Sequence, residues 1–121
     1  MADIAPTVVA VDQQFSTHVR VVTWAGLSAA NNTGTAVEMP GFGARSVQVT
    51  GTIGVLDSVG IEGSNDGVNY AILTDEQGND LKFDGLGISD VAVLTRYIRP
   101  RVLSGAPAAT VVLLLRKTDG P

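Results

Sequence analysis

Hydrophobic and polar residues alternate along much of this chain in short stretches. A period of two places every second side chain on the same face of a strand, so it indicates sheets with one buried face. The clearest case is residues 45–53, where Val47, Val49 and Ile53 are separated by polar residues or glycine. The same pattern predicts further strands over residues 17–25, 35–39, 81–83, 96–103 and 110–116.

Residues 59–73 contain the strongest turn signal. Residues 64–67 read Ser-Asn-Asp-Gly, with apolar residues alternating on both sides. Asn and Asp side chains hydrogen-bond to their own backbone, and Gly67 adopts positive φ without strain. An Asp-Gly pair between alternating apolar runs predicts a β-hairpin. In this hairpin one face would carry Val59, Ile61, Val68, Tyr70 and Ile72.

The number and spacing of these strands predict the fold class. About eight short strands, with turn signals every ~8–12 residues and no persuasive helical period, are typical of an all-β fold. The expected architecture is a two-sheet antiparallel β-sandwich or jelly roll. Pro100 marks an edge strand or a bulge, because proline cannot donate to the ladder. We assign the sandwich domain to residues 17–121.

Residues 1–16 differ from the rest of the chain. They combine Pro6 with a short apolar run at residues 8–11 and show no clean period, which predicts an extended N-terminal arm. Such an arm either packs on its own domain or lies on a neighbouring subunit. For the second case the candidate contact residues are Ile4, Val8, Val9, Val11 and Phe15.

Composition favours one β-rich domain over a disordered chain. The 121 residues are 45% hydrophobic and 17% charged, with 14 glycines. The formal net charge of −4 provides no general basic surface for nucleic acid. Eight of the twelve acidic residues lie within residues 57–90, whereas basic residues concentrate after residue 95. The chain could present oppositely charged surfaces to two neighbours, or simply carry solvated loops beside solvated strand faces.

Neither membrane nor thiol chemistry is indicated. The absence of cysteine excludes disulfides and thiolate metal sites. The first residues lack the basic start and apolar core of a signal peptide. The longest apolar run, residues 111–115, is too short to span a bilayer. We therefore expect no membrane partner.

Catalytic chemistry is poorly supported as well. His18 is the only histidine, and its position in a predicted strand favours a structural or interfacial role over a catalytic triad. Carboxylates that could form a glycosidase pair lie mostly in turn clusters, where Asp suits the turn geometry. Residues 75–80 gather oxygen ligands suited to calcium but lack EF-hand spacing, so a turn is favoured. We expect no enzyme activity, no metal and no cofactor.

A binding face is the more promising feature. Alternation along residues 96–103 places Tyr97, Arg99 and Arg101 on one side of their strand. Tyrosine and arginine are enriched at protein interfaces, and Trp24 could join them. The same row could instead cover a sheet face with its aliphatic stems.

Two segments resemble the C-terminal half of discoidin domains. Residues 62–70, Glu-Gly-Ser-Asn-Asp-Gly-Val-Asn-Tyr, are followed some distance later by Arg-Tyr-Ile-Arg-Pro at 96–100. The resemblance implies a jelly-roll sandwich that binds glycans or lipids through loops at one end. A carbohydrate-binding module of this kind would need an aromatic platform, for which Trp24, Phe42 and Tyr70 are the candidates.

A fuller resemblance is to capsid decoration (cement) proteins of tailed bacteriophages. It includes Thr-Trp-Ala-Gly-Leu at 23–27, Arg-Ser-Val-Gln-Val at 45–49 and Arg-Tyr-Ile-Arg-Pro-Arg at 96–101. The resemblance implies a structural virion protein, made in the host cytoplasm, that binds the capsid exterior. Its partners would be the major capsid protein, whose copies it bridges, and itself as a homodimer or homotrimer. The candidate contacts are then the apolar arm residues together with Trp24, Tyr97, Arg99 and Arg101.

Overall fold

The computed structural model describes residues 3–4, 7–10, 19–38 and 43–116, with residues 3–4 and 7–10 described by their backbone alone. These ranges form twelve strands and no helix. The first six strands are β1 (Asp3–Ile4), β2 (Thr7–Ala10), β3 (Val19–Leu27), β4 (Thr33–Gly34), β5 (Val37–Glu38) and β6 (Ala44–Thr52). The last six are β7 (Ser58–Ser64), β8 (Ala71–Ile72), β9 (Lys82–Phe83), β10 (Gly87–Asp90), β11 (Tyr97–Ser104) and β12 (Ala108–Arg116). Among the described residues there is no helix long and apolar enough to cross a bilayer.

The strands form two sheets. Sheet A has the order β1-β4-β11-β7-β8, and in addition β5 pairs with β11 and β9 with β7. Sheet B has the order β10-β6-β12-β3-β2. All of these pairings are antiparallel except that of β1 with β4. The predicted all-β antiparallel sandwich is therefore confirmed.

The core lies between the two sheets and follows the alternation in the sequence. On β6, Val47 and Val49 are buried while Gln48 between them is exposed. On β12, Val111 and Leu113 are buried in the same way. Burying one such side chain stabilises the fold by about 1.5–3 kcal/mol, so this alternation fixes which face of each strand turns inward.

Trp24 is a core residue, which corrects its assignment as a partner contact. Only 1% of its surface is exposed, and its indole Nε1 donates a hydrogen bond to the carbonyl oxygen of Thr35 at 2.9 Å. The ring packs closely against the backbone of Gly34, where a Cβ atom would lie 2.6 Å from both Trp24 and Pro100. The large apolar ring is better accommodated here than on a solvated face, because its one polar atom is satisfied internally.

The predicted hairpin exists, but its second strand is shorter than expected. Strand β7 pairs with β8 through Glu62 opposite Ile72 and Gly63 opposite Ala71. Gly67 has a φ of 78°, as predicted, whereas Val68 is 78% exposed and does not face the core. The reason is local: the backbone after the turn winds around an aspartate carboxylate described below, which keeps it from pairing with β7 there.

The described part of the arm belongs to the sandwich itself. Strand β1 adds to sheet A in parallel with β4, and β2 adds to the edge of sheet B beside β3. The described part of the arm thus pairs with its own domain, and its contact with a neighbouring subunit stays a prediction. Ile4, Val8 and Val9 lie in these two strands. Val11 and Phe15 lie outside the described residues.

Pro100 does not lie in an edge strand, contrary to one of the two expectations. Strand β11 is flanked by β7 on one side and by the short strands β4 and β5 on the other. Strand β5 pairs at Tyr97 and Ile98, and β4 pairs at Arg101. Between these pairings the ladder on that side is interrupted at Pro100, so an interior strand can contain a residue that has no N–H to donate.

Candidate partner-binding face

The outer face of sheet A carries the row predicted from the sequence. Tyr97, Arg99 and Arg101, here called the arginine row, alternate along β11 with buried residues that include Ile98 and Val102. The row therefore lies on the side of the sheet that faces away from the core. The prediction that these three residues share one face of their strand is confirmed.

A buried carboxylate lies beside the row. Glu62 on β7 is the residue directly opposite Arg99, and its side chain is only 9% exposed. Arg99 donates from Nε to Glu62 Oε1 at 3.1 Å, and Arg101 Nη1 lies 3.6 Å from Glu62 Oε2. Burial of an unpaired carboxylate would be costly, and the two guanidinium groups compensate for it. Glu62 thus holds both arginines in a defined position.

Arg99 is fixed a second time by an aromatic ring. Its guanidinium carbon lies 3.7 Å from the centre of the Tyr70 ring, which is the distance of a close cation–π contact. Only 24% of the Arg99 side chain is exposed, compared with 47% for Arg101. Arg99 is therefore a positioned, half-buried member of the row, whereas Arg101 presents its guanidinium to solvent.

The end of the row near β5 is also ordered by charge. Arg96 forms an ion pair with Glu38, and its guanidinium lies 5.3 Å from the centre of the Tyr97 ring. The hydrogen bond and charge of Glu38 raise the pKa of Arg96 above its usual range. On the other side, the ring of Tyr97 lies close to Gly67, where an added Cβ would be 3.1 Å away. The hairpin turn and the row therefore form one continuous surface.

The turn at residues 64–69 satisfies its own polar groups. Asp66 Oδ1 accepts hydrogen bonds from the backbone N–H groups of Val68 and Asn69, each at 2.8 Å, and its Oδ2 accepts one from Asn69 Nδ2. Ser64 Oγ accepts from the backbone N–H of Gly67 at 2.9 Å. The backbone and side-chain donors around Asp66 hold the pKa of its carboxyl well below the usual range. This geometry explains the carboxylate as part of the turn.

Residues 75–80 form a similar turn, as favoured from the sequence. Asp75 Oδ1 accepts hydrogen bonds from the backbone N–H groups of Gln77 and Asn79, both at 2.9 Å. These bonds lower the pKa of the Asp75 carboxyl, the one from Asn79 contributing most. Among the residues the structure describes, no group of three or more His, Asp or Glu side chains is arranged to hold a metal ion. His18 lies outside the described residues.

Two contributors to the face were missed in the sequence. From the sequence, Glu62 was assigned no role beside the arginine row, and Tyr70 was suggested only as a member of the hairpin face and of a possible aromatic platform. A signal was present, because Glu62 is the one charged residue within an otherwise apolar or small strand, β7. A charged residue in such a strand needs a partner of opposite charge on the neighbouring strand.

Within the part of the chain that the structure describes, the candidates for an aromatic platform do not come together. Trp24 is buried in the core, and one face of Tyr70 is occupied by Arg99. Phe42 lies outside the described residues. The aromatic residues that the structure does describe are thus used for packing and for positioning the arginine row.

Comparison with known proteins gives a likeness of fold. No family model and no curated protein matches this chain. Among solved structures, the SPBc2 prophage-derived protein YomS is similar with a TM-score of 0.57 and 11% identity, covering 80% of this chain and 93% of YomS. The resemblance to a phage protein is thereby confirmed at the level of the fold.

Two more distant structures were also found. CBM32-3 of a family 31 glycoside hydrolase from Clostridium perfringens gives a TM-score of 0.42 and 14% identity, over 93% of this chain and 88% of that one. The K1 cleaved adhesin domain of Lys-gingipain from Porphyromonas gingivalis gives 0.39 and 12%, over 95% and 91%. At these TM-scores neither structure contributes to the assignment of function.

Proposed function

We propose that this protein is a structural virion protein, a capsid decoration protein that binds the outer surface of a phage head. The observation that carries the proposal is the arginine row, held in place on the outer face of sheet A by Glu62 and Tyr70. The phage-like features of the sequence and the fold shared with a prophage protein are consistent with this role.

The construction of the row suits a contact with another protein. Arginine and tyrosine dominate the binding energy of many interfaces. Arg99 is already ordered by Glu62 and by the Tyr70 ring, so little side-chain freedom is lost when a partner binds. Arg101 lies 3.6 Å from Glu62, but about half of its side chain is exposed, so it can also pair with a carboxylate of that partner.

The proposal includes what the protein does at the capsid. Each copy would bridge neighbouring major capsid proteins and also contact other copies of itself as a dimer or trimer. Many linked contacts of modest strength then stabilise the particle together. No enzymatic role, nucleic acid or membrane partner is included, and synthesis would take place in the host cytoplasm. The alternative of a carbohydrate-binding module is less well supported, because Trp24 is buried and one face of Tyr70 is covered by Arg99.

Binding to phage heads tests the proposal. Heads of the phage that encodes this protein, prepared without it, would be titrated with the wild type, Arg101→Ala and Arg116→Ala. Both substitutions remove one exposed arginine, but Arg116 lies on sheet B and outside the row. We expect saturable, stoichiometric binding that is weakened about tenfold or more by Arg101→Ala, a loss of about 1.4 kcal/mol, and unchanged by Arg116→Ala.

Two results would contradict it. If the wild type does not bind heads, the role in the virion is wrong. If Arg101→Ala and Arg116→Ala bind as well as the wild type, the arginine row is not the contact surface.

A further inference from the structure

The outer face of sheet B differs in character from that of sheet A. Its residues alternate with the buried residues of β6, β12 and β3, and they are mostly small, β-branched or apolar. We call this surface the neutral face; its main members are Val19, Val21, Thr23, Ile88, Val112 and Leu114. Among them Ile88 is 69% exposed and Leu114 is 41% exposed.

Register places most of these residues in two adjacent rows across the sheet, whereas Val19 lies in a third row, opposite Arg116. In one row Leu114 lies opposite Val21 on one side and Ser46 on the other. In the next row Val112 lies opposite Thr23 and Gln48 in the same way. The most apolar part of the face is therefore at its centre, where β12 runs between its two neighbours.

Charge is confined to the end of this face that includes the Leu114 row: Asp90 lies opposite Ser46 at the β10 edge of that row, and Arg116 lies in the row beyond it. Among its described residues only Asp90 and Arg116 are charged, and a carboxylate oxygen of Asp90 already accepts a hydrogen bond from the backbone N–H of Glu76 at 2.9 Å. The outer face of sheet A, by contrast, carries the arginine row, Glu62 and the ion pair of Arg96 with Glu38. An uncharged strip is thus present on only one of the two sheet faces.

A second copy of this chain fits that uncharged strip. In a two-fold interface the same surface patch of both copies meets, so a patch that is mostly of one sign faces another patch of that sign. For a chain with a net charge of −4, association through charged surfaces would be opposed by repulsion. The neutral face avoids this repulsion, since its centre consists of Leu114, Val112 and their uncharged neighbours.

The size of the face is sufficient for a dimer. The nine-residue strands β3, β6 and β12 extend for about 30 Å, the four-residue strands β2 and β10 flank them, and the five strands span about 19 Å across the sheet. Covering this surface on both copies buries roughly 1,200 Å² in total, the lower end of the range for specific stable interfaces. Two sheets can stack face to face in this way with a separation of about 10 Å.

We infer that the neutral face of sheet B is the self-association surface of this protein, through which two copies stack back to back. The inference rests on the proposed function only for the expectation that copies of the chain associate with each other. What it adds is the surface through which they do so. The arginine rows of the two copies would then face outward in opposite directions, available for other partners.

Oligomeric state in solution tests this inference without any capsid. The whole chain would be analysed by light scattering after size exclusion, alongside Leu114→Asp and the matched variant Leu56→Asp. Leu56 is also an exposed leucine, 84% exposed, but it lies in the loop between β6 and β7. We expect twice the 12.5 kDa chain mass for the wild type and Leu56→Asp, and the chain mass itself for Leu114→Asp.

A second measurement separates dissociation from misfolding. Leu114→Asp should keep a cooperative thermal unfolding transition and a sheet-type circular dichroism spectrum. Val112→Lys introduces the opposite charge in the adjacent row and should also give the chain mass. The inference is overturned if the wild type is monomeric at a chain concentration of about 100 μM, which is roughly 100 times a micromolar dissociation constant. It is also overturned if Leu114→Asp and Val112→Lys are folded and remain dimeric. A trimer would likewise overturn it. Head binding by a monomeric wild type would leave the proposed binding to the capsid intact while this inference fails.

Discussion

Arg99 lies between Glu62 and Tyr70, with its Nε bonded to the carboxylate and its guanidinium carbon 3.7 Å from the centre of the ring. The two contacts come from different elements, since Glu62 is in β7 and Tyr70 precedes β8. An arginine side chain ordinarily has considerable rotational freedom. Here that freedom is removed within the monomer, so the row has a defined shape before any partner arrives.

Glu62→Gln should destabilise the fold measurably. The substitution removes the charge that compensates Arg99 and Arg101 while leaving the half-buried Arg99 guanidinium in place. A loss of about 1–3 kcal/mol in the free energy of unfolding is expected, measured by urea denaturation. Glu76→Gln, at an exposed turn position, serves as the control and should change stability by less than about 0.5 kcal/mol. Equal stability of Glu62→Gln and wild type would mean that Glu62 does not hold the row.

The stability that the Asp66 carboxylate gives to the hairpin turn should depend on pH. Its folded-state pKa is lowered, so its contribution to stability is present above the unfolded value of about 3.9 and is lost as pH falls through the lower folded value. Asp66→Asn cannot provide this charged acceptor. We expect a lower melting temperature for Asp66→Asn at pH 7 and a difference from wild type that shrinks below about pH 4. Melting curves across pH 2–8 test this, and a difference independent of pH would contradict it.

Gly34→Ala should destabilise the core through overpacking. A Cβ at residue 34 would lie 2.6 Å from atoms of the Trp24 and Pro100 rings, both of which are almost fully buried. We expect a loss of about 1–3 kcal/mol in the free energy of unfolding. Gly85→Ala is the matched control, because a Cβ there meets nothing within 4 Å. If the two variants were equally stable, Trp24 would not be packed against Gly34 as described.

Nested deletions should reveal what the first strands contribute. Removal of residues 1–6 takes away β1, and removal of residues 1–10 also takes away β2. Each deletion exposes the edge of a neighbouring strand, β4 in the first case and β3 in the second. The melting temperature should therefore be lower after the first deletion and lower again after the second. Size-exclusion chromatography should show more aggregate after the second deletion. A fully stable, monodisperse protein lacking residues 1–10 would contradict this.

The fold could be predicted from the sequence where alternation was regular. Val47 and Val49 identify the inner face of β6 without help from tertiary structure, and Gly67 identifies the turn. Trp24 could not be placed in this way. Alternation shows which residues of β3 share a face with Trp24, but whether that face turns inward depends on contacts with Gly34 and Pro100. Val68 was misplaced because hydrogen bonds to Asp66 override the strand pattern over a few residues.

The site was predictable only in part, for a physical reason. The arginine row follows from period two along one strand and needs no knowledge of its neighbours. Its relation to Glu62 depends on which strand pairs with β11 and in what register, and residues 62 and 99 are far apart in the chain. Tyr70 depends further on the shape of the loop before β8. Contacts that cross between strands become visible only when the topology is known.

The position of β12 determines when this protein can fold during its synthesis. Strand β12 lies at the centre of sheet B, paired along most of its length with both β3 and β6. A nascent chain that ends before residue 108 therefore has two separated halves of a sheet with nothing between them. Local hairpins can form early, but sheet B cannot close until β12 has left the ribosome, so we expect the sandwich to be completed late in synthesis.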